Sequence, residues 1–392
     1  MSLSLAPLSP LALSLLAVLA PTEAAPPGAV ESGYAPDQGF FLASPDGGYK
    51  LRIGFVGGYK IEPEFNAGTA QDRNEFFVLR PFFEGHVFRP WITFKTELEL
   101  VGNPPYLLDA YFDVRPILQF GVRGGLQTTP LSRHKSFEPN EILFPDWAVT
   151  AEYFWAGHDK GATLMSLTFD EKVESYLGLY SGTPLRQFTA VAGNYVVLGR
   201  VTVSPLGKIG KTEYPYITES PAPFRISFTA QGFYGKITAG TENFDADSFQ
   251  FTFTPDTSPS RKATAGGDVF LQGSRFMAFG EGYFRRTEPS SGAARYDAWG
   301  VWAQAGVLLL PRRVDFAVRG NWIDPSTSLS SVRTLIGEAQ VAYYVHAPVL
   351  VLKLRYGIAD QQTPGMAALG SVSLPLTAGR SQVLTLQLNL AY

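Results

Sequence analysis

Apolar and polar positions alternate along this chain, most clearly near its C-terminal end. Leucines occupy every second position over residues 384–390, and threonine, glutamine and asparagine residues lie between them. Successive side chains of a β-strand point to opposite faces, so this segment predicts a strand with one apolar and one polar face. The apolar face ends on Tyr392. An aromatic anchor at the headgroup level is typical of a strand in an outer-membrane β-barrel.

The same alternation recurs along the rest of the chain and predicts strands rather than helices. About sixteen segments show it, and an even number is what single-chain bacterial barrels have. We expect the last segment to close the barrel beside residues 50–53. The segments span approximately residues 49–61, 73–88, 91–101, 106–114, 117–125, 159–169, 173–180, 195–204, 223–231, 262–272, 276–287, 297–309, 313–323, 333–345, 348–359 and 381–392.

The links between these segments alternate in length. Most links that follow an even-numbered segment are tight, such as residues 89–90 and 115–116, and the others are longer. Short turns on one side and long loops on the other are typical of an outer-membrane barrel. The exception is the link 205–222, which predicts either an elaborated turn or an additional pair of strands. The sequence therefore predicts an all-β, transmembrane antiparallel β-barrel of about sixteen strands.

Two loops are too long for simple hairpins. The loop 126–158 contains Arg133, Lys135 and several aromatic residues. It either extends into solvent or folds into the barrel, with aromatic residues on the wall and bases at a constriction; its length and aromatic content favour the constriction loop. The loop 232–261 is similar, and its alternation over 249–253 is also compatible with an extra hairpin above the membrane.

The N-terminal residues have the features of a secretory signal. Residues 11–20 form an apolar core, and small residues up to Ala25 provide a cleavage site. Residues 2–10 lack the usual positive charge, and a short buried helix is the alternative. We predict a signal peptide over residues 1–25, a periplasmic leader over 26–48 and a barrel over 49–392. This organisation predicts the outer membrane of a Gram-negative cell.

Composition limits the chemistry that the chain can perform. It contains no cysteine, which excludes disulfides, thiolate metal sites and a cysteine nucleophile. Charged residues make up 17% of the chain, below the roughly 25% of ordinary soluble domains. A net charge of −3 implies no attraction to nucleic acid. The four histidines show no zinc-ligand spacing. We therefore expect no cofactor, no metal and no nucleic-acid partner.

Charged residues lie on the strand face opposite to the apolar one, so they are predicted to face the lumen. Arg115 and Arg285 are among these bases, and acids such as Glu84, Glu97 and Asp113 share the same face. They either bias permeation or merely solvate the wall and pair with one another. The bases predicted to line the pore and attract anions are Lys50, Arg52, Arg80, Lys95, Arg123, Arg133, Lys135, Arg200, Arg225, Arg319, Lys353 and Arg355.

Three short segments resemble phosphate-selective porins O and P. Residues 39–51 resemble the opening of these porins, residues 80–85 their second strand, and residues 109–114 with 121–130 the stretch that enters their constriction loop. The resemblance implies a sixteen-stranded homotrimer with inward-folded third and fifth loops and basic residues that draw anions through. Residues 124–129 lack the lysines common in that family, so the resemblance supports a porin better than it supports phosphate selectivity.

We therefore expect an outer-membrane porin, not an enzyme, that lets small hydrophilic solutes diffuse with a preference for anions, phosphate among them. Its partners would be membrane lipids, permeant inorganic or organic anions and the outer-membrane assembly machinery. One alternative is a non-conducting structural or adhesive barrel. The other is an outer-membrane hydrolase, for which His134 and His158 with Ser132, Asp146 or Asp159 are the candidate residues.

Overall fold

The structure is a computed structural model. The predicted signal peptide and Tyr392 lie outside the part of the chain that it describes. The described residues are 28, 30–35, 39–63, 72–101, 105–183, 192–210, 212–215, 223–238, 240–245, 250–255, 259–290, 294–327, 333–346, 349–361, 372–373 and 379–391. No helix within these residues is long and apolar enough to cross a membrane.

Strands dominate the described residues, with one short α-helix and one turn of 3₁₀ helix over His134–Ser136. In chain order the elements are β1 Glu31–Ala35, β2 Gly39–Ala43, β3 Lys50–Pro63, β4 Asp72–His86, β5 Ile92–Glu99, β6 Tyr106–Ile117, β7 Phe120–Thr128, α1 Val149–Phe154, β8 His158–Thr168, β9 Val173–Tyr180, β10 Tyr195–Val203, β11 Arg225–Ile237, β12 Gly240–Asp245, β13 Gln250–Pro255, β14 Ser260–Gln272, β15 Phe276–Pro289, β16 Tyr296–Leu310, β17 Val314–Asp324, β18 Thr334–His346, β19 Leu350–Gln361, β20 Val372–Ser373 and β21 Gly379–Ala391.

Sixteen of these strands form a closed antiparallel barrel. The ring runs from β3 to β11, continues through β14 to β19, and returns through β21 to β3. The predicted barrel of about sixteen strands is confirmed. The small sheet outside the ring consists of β12, β13 and β20, in which β12 and β13 pair as an antiparallel hairpin within the predicted loop 232–261.

The closure of the barrel differs from the prediction. β21 pairs with Val56–Ile61 of β3, whereas the expected partner, Lys50–Ile53, pairs with β2. The strands of a barrel are staggered, so the last strand meets the first strand further along its length. The hairpin of β1 and β2, within the predicted leader, covers the edge of β3 that β21 leaves free.

Side chains alternate between the two faces of the barrel as the sequence pattern predicts. On β21 the polar residues Thr385 and Gln387 are 0% exposed, and Leu386 between them is 46% exposed. In a membrane barrel such exposed apolar side chains face lipid. Representatives from the successive strands β6 to β11 and β14 to β19 are Phe112, Val122, Leu164, Leu177, Val197, Phe228, Val269, Phe284, Val301, Phe316, Val341 and Leu354.

One half of the lumen is filled by packed side chains. The inner faces of β14 to β19 contribute Phe270, Phe279 and Trp302 to this cluster. Residues from two connections pack against them: Phe137, Ile142, Leu143, Phe144, Ala148 and Ala151 from the link between β7 and β8, and Ile209 and Tyr214 from the link between β10 and β11. The lumen is therefore not an empty cylinder.

Candidate pore and its constriction

The loop between β7 and β8, residues 129–157, lies inside the barrel. Near its start, Ser132 Oγ donates a hydrogen bond to the carboxylate of Glu281 on β15 at 2.9 Å. Further along, Gln340 Nε2 on β18 donates to the Leu143 carbonyl at 2.6 Å. The loop thus crosses to the wall opposite the strands from which it emerges and narrows the lumen.

Two inward-facing glycines on β16 make room for this loop. A Cβ added at Gly300 would lie 2.8 Å from Thr150 Cγ2 and 2.9 Å from Phe154 Cε2. A Cβ at Gly306 would lie 2.9 Å from Leu143 Cδ2. Real Cβ atoms do not approach so closely, so the loop could not pack as it does against a larger residue.

Asp146 fixes the middle of the loop through charge. Its carboxylate lies 3.0 Å from Arg355 Nη1 on β19 and 3.7 Å from Lys60 Nζ on β3. Burial opposes ionisation of this carboxyl, but Lys60, Arg355 and Arg319 outweigh that effect and hold the pKa of Asp146 below its usual value. Arg355 also lies 2.9 Å from Glu62 on β3. These ion pairs therefore connect the loop to β19 and β3, the two strands that pair with the closing strand β21.

Glu138 connects the loop to the strands on the other side. Its carboxylate lies 2.7 Å from Lys95 Nζ on β5 and 3.6 Å from Arg80 Nη1 on β4. Burial opposes its ionisation, but Lys95 and Arg80 more than compensate and lower the pKa of Glu138. The side chain remains 32% exposed. Glu138 is thus an acid at the edge of the lumen, paired with two of the predicted pore-lining bases.

Parts of the inner wall on β3, β4, β6 and β7 are accessible to water. Arg52 and Glu84 pair at 2.6 Å and are 29% and 33% exposed. Arg123 and Asp113 pair at 2.6 Å and are 26% and 19% exposed. On the filled side, by contrast, Arg355 is 0% exposed. The accessible part of the lumen therefore lies beside β3, β4, β6 and β7, and its wall carries charges of both signs.

The structure places the strand bases of the predicted set on the inner face and the loop bases on the constriction loop. Most have a carboxylate within salt-bridge distance: Arg52, Arg80, Lys95, Arg123, Arg133, Lys135, Arg319 and Arg355. The others contact neutral groups: Lys353 the carbonyls of Ile142 and Phe144, Arg225 the carbonyl of Lys208, Arg200 the ring of Tyr176, and Lys50 the ring of Phe41. The predicted anchor Tyr392 lies outside the described residues.

Lys135 is enclosed by aromatic rings. Its Nζ lies 3.8 Å from the ring centre of Trp147 and 4.4 Å from that of Trp155, and it pairs with Glu152. Because a cation over an aromatic face is attracted by the ring quadrupole, this arrangement holds the loop together. The Lys135 residue is 7% exposed, so little of its charge is presented to the lumen.

The histidines considered for a hydrolase have other partners. His134 is 0% exposed and bonds Glu213. His158 lies 3.0 Å from Asp109, and the Thr128 hydroxyl is nearly equidistant from its two ring nitrogens, at 3.2 and 3.3 Å. A catalytic relay instead needs the nucleophile at one nitrogen of the histidine ring and the orienting acid at the other. Asp159 bonds Ser181 and Gly182, and Asp146 bonds Arg355, so neither orients a histidine.

The sequence did not identify the turn-side residues that contribute to the constriction. Glu213 and Tyr214, from the link between β10 and β11, are 0% and 1% exposed inside the barrel. Tyr214 Oη donates to the Asn140 carbonyl at 2.6 Å. The only signal was the unusual length of the link 205–222, which does not show that the link turns inward. The described residues 204–210 and 212–215 contain no strand, so this part is an elaborated turn.

Solved outer-membrane barrels share this fold. OmpT of Vibrio cholerae matches with a TM-score of 0.60 and 9% identity, covering 88% of this chain and 98% of its own. An anion-selective porin from Comamonas acidovorans matches with a TM-score of 0.62 and 8% identity, covering 88% and 100%. OmpF of Salmonella typhi, solved with daunomycin, matches with a TM-score of 0.55 and 9% identity, covering 88% of this chain and 98% of its own.

No family model matches the chain, and no curated protein sequence matches it. The structural likeness, at such low identity, establishes the fold. The phosphate-selective group suggested by the short sequence motifs is not confirmed, whereas the wider resemblance to outer-membrane porin barrels is. The closed barrel with its apolar outer face belongs in the outer membrane of a Gram-negative cell.

Proposed function

We propose that this protein is a porin through which small hydrophilic solutes diffuse passively across the outer membrane. The observation that carries the proposal is the contrast between the two halves of the lumen. The pairs Arg52–Glu84 and Arg123–Asp113, on β3, β4, β6 and β7, remain 19–33% exposed, while the loop fills the opposite side of the lumen. Water and solutes therefore have a polar path, the loop narrows it, and fixed charges bias the ions inside. No energy source is needed.

We further propose a modest preference for anions, with phosphate permeating as one small anion among others. Support comes from inward bases whose contacts are with neutral groups. Arg115 Nη2 lies 3.7 Å from the sulfur of Met165, and Arg200 lies over the ring of Tyr176. Acids such as Glu84 and Asp113 offset other bases, so the preference is expected to be weak. One structural relative is described as an anion-selective porin.

The test is planar-bilayer recording of the purified protein in a KCl gradient. We expect stepwise channel insertion and a reversal potential of the sign that indicates anion preference. Arg115→Glu should shift that potential toward cations, because it replaces an inward base whose described contact is the neutral sulfur of Met165. The matched control is Arg261→Glu on the outer face, which should leave the potential unchanged. A cation preference in the unmodified protein would refute the selectivity, and a silent bilayer would favour the non-conducting structural or adhesive barrel.

We also propose that the protein is a homotrimer whose outer face contacts membrane lipids. The support comes from the shared fold, because one structure of Vibrio cholerae OmpT, which has the same fold, is described as a trimer form. Recognition of the C-terminal strand by the assembly machinery is part of the same proposal. Chemical cross-linking in native membranes should give a ladder that ends at three chains, and a ladder that stops at one chain would refute the trimer.

A further inference from the structure

The link between β10 and β11 enters the barrel from the side of the short turns. Its described residues include Ile209, which is 4% exposed, and Glu213, which is 0% exposed. Gln272 on β14 holds the backbone of this segment: its Nε2 donates to the Tyr214 carbonyl at 3.2 Å, and its Oε1 accepts from Gly210 N at 3.2 Å. The segment is therefore fixed inside the lumen, where it meets the constriction loop.

Glu213 gathers hydrogen bonds from the loop and from the wall. One carboxylate oxygen accepts from His134 Nδ1, and the other accepts from Leu143 N at 3.0 Å. That second oxygen also accepts from Gln304 Nε2 on β16 at 2.7 Å. The backbone adds a further contact, because Glu213 N donates to the Glu141 carbonyl at 2.8 Å. A single buried side chain thus joins separate points of the loop to the barrel.

His134 extends this connection to the end of the loop. With Nδ1 donating to Glu213, its Nε2 accepts a hydrogen bond from Ala148 N at 2.7 Å. The centre of the imidazole ring lies 4.4 Å from that of Trp302 on the wall. The carboxylate of Glu213 is therefore linked, directly or through His134, to the loop at residues 134, 143 and 148.

We propose that Glu213 is a positioning residue that sets the width of the pore. It is fully buried and so acts through the constriction loop rather than by touching a permeant. Removing its carboxylate leaves the buried donors of His134, Leu143 and Gln304 without an acceptor, and buried donors favour conformations in which water satisfies them. The inference rests on the proposed porin function and adds that the turn side of the barrel, as well as the loop, determines the aperture.

The first test follows the loop itself and does not depend on conductance. Hydrogen exchange measured by mass spectrometry should show the amides of Leu143 and Ala148 exchanging about tenfold faster or more in Glu213→Ala than in the unmodified protein. Glu213→Gln should give an intermediate rate, because its carbonyl oxygen can still accept one of the bonds. The matched control is Lys208→Ala, in the same segment but with a side chain that is 41% exposed; it should leave the rates unchanged.

The second test measures the pore with the same proteins. In liposome-swelling assays with sugars of increasing size, Glu213→Ala should admit larger sugars than the unmodified protein, and single-channel conductance should rise. If the unmodified protein conducts but the variant shows unchanged exchange, or unchanged size cut-off, the inference is wrong while the porin function stands. If the unmodified protein does not conduct, both this inference and the proposed porin function fail. Should Glu213→Ala not form a heat-resistant barrel, Glu213→Gln decides by the same two measurements.

Discussion

At the scale of single residues, the inner wall is held by buried charges that come from separate elements. Arg355 on β19 contacts Asp146 in the loop, Glu62 on β3 and Glu338 on β18, and it is 0% exposed. A buried ion pair is weak evidence of net stability, because a well-packed apolar replacement is often as stable. Removing one partner is different, since it leaves the remaining charges buried and uncompensated.

Arg355→Ala should therefore lower the free energy of unfolding by about 3–5 kcal/mol. Urea unfolding in lipid vesicles, followed by tryptophan fluorescence, measures this change. The matched control is Arg261→Ala, whose pair with Glu288 at 3.4 Å is 55% and 43% exposed. A surface pair of this kind contributes about 0–1 kcal/mol. Equal losses in the two variants would contradict the importance of burial.

The charge of Glu138 makes the position of the loop depend on pH. Because the native fold lowers the pKa of this carboxyl, its ion pairs stabilise the docked loop fully above about pH 4.3, the ordinary value for glutamate. That stabilisation is lost as the pH falls through the lowered pKa. The contribution of Glu138 to single-channel conductance should accordingly be constant from neutral pH down to about pH 4.3 and change below it.

Glu138→Gln provides the control for this pH dependence. The variant should already differ from the unmodified protein at neutral pH, because Lys95 and Arg80 each lose one of their charged partners. Its conductance should change less on acidification below about pH 4.3, and Asp146, whose pKa is also lowered, should contribute to the remaining change. A variant that tracks the unmodified protein over the whole range would show that Glu138 does not control the loop.

At the scale of elements, the loop and β16 fit together through small residues. The sequence indicates strand β16 by its alternation, and Gly300 lies on its inward face. Only the structure shows why a glycine stands there, since Thr150 and Phe154 of helix α1 lie against it. Thr150 and Phe154 lie about 150 residues before Gly300 in the chain, so no local pattern in the sequence of β16 can indicate that they pack there.

Gly300→Ala should destabilise the barrel by about 1–3 kcal/mol, the usual penalty for overpacking. The added Cβ would also lie 2.9 Å from the Trp322 carbonyl oxygen, and backbone cannot move aside as easily as a side chain. Gly320→Ala on the neighbouring strand is the matched control, because a Cβ there meets nothing within 4 Å. Heat-modifiable migration on gels and the midpoints of urea unfolding measure the stability of both variants. Similar midpoints for the two variants would contradict tight docking of the loop.

At the scale of the whole molecule, the barrel separates a lipid-facing surface from a polar interior. This separation explains why the periodicity of single strands was informative across the whole chain. Each barrel strand has one face in lipid and one in the lumen, so its alternation does not depend on which strands lie beside it. The same separation predicts that a charge placed on the outer face destabilises the barrel by an amount that depends on its depth in the bilayer.

Leu386→Arg should destabilise the barrel by about 2–4 kcal/mol, because Leu386 faces lipid near the middle of β21. Gln382→Arg, on the same face but towards the strand end, should change stability by only about 0–1 kcal/mol. Equilibrium unfolding in phospholipid vesicles distinguishes the two. Equal effects would show that the residues of β21 are not at the depths that the barrel implies.

The sequence by itself determined the features that are local to each strand. It placed most strands of the barrel within about three residues of their observed bounds, although β11 continues to Ile237, six residues beyond the predicted end. It also predicted the alternation of side chains between two faces, and it marked the loop after β7 and the link after β10 as unusually long. These features could be predicted because a side-chain period of two and the length of a connection are properties of neighbouring residues.

Only the tertiary structure decided the closure register, the path of the constriction loop and the contacts of Glu213. Lys353 bonds the Ile142 carbonyl across a separation of 211 residues, and Glu213 reaches His134 across 79. Such contacts depend on the stagger of the ring and on which half of the lumen the loop fills. Both result from closing the whole barrel, so no single segment contains the information that specifies the width of the pore.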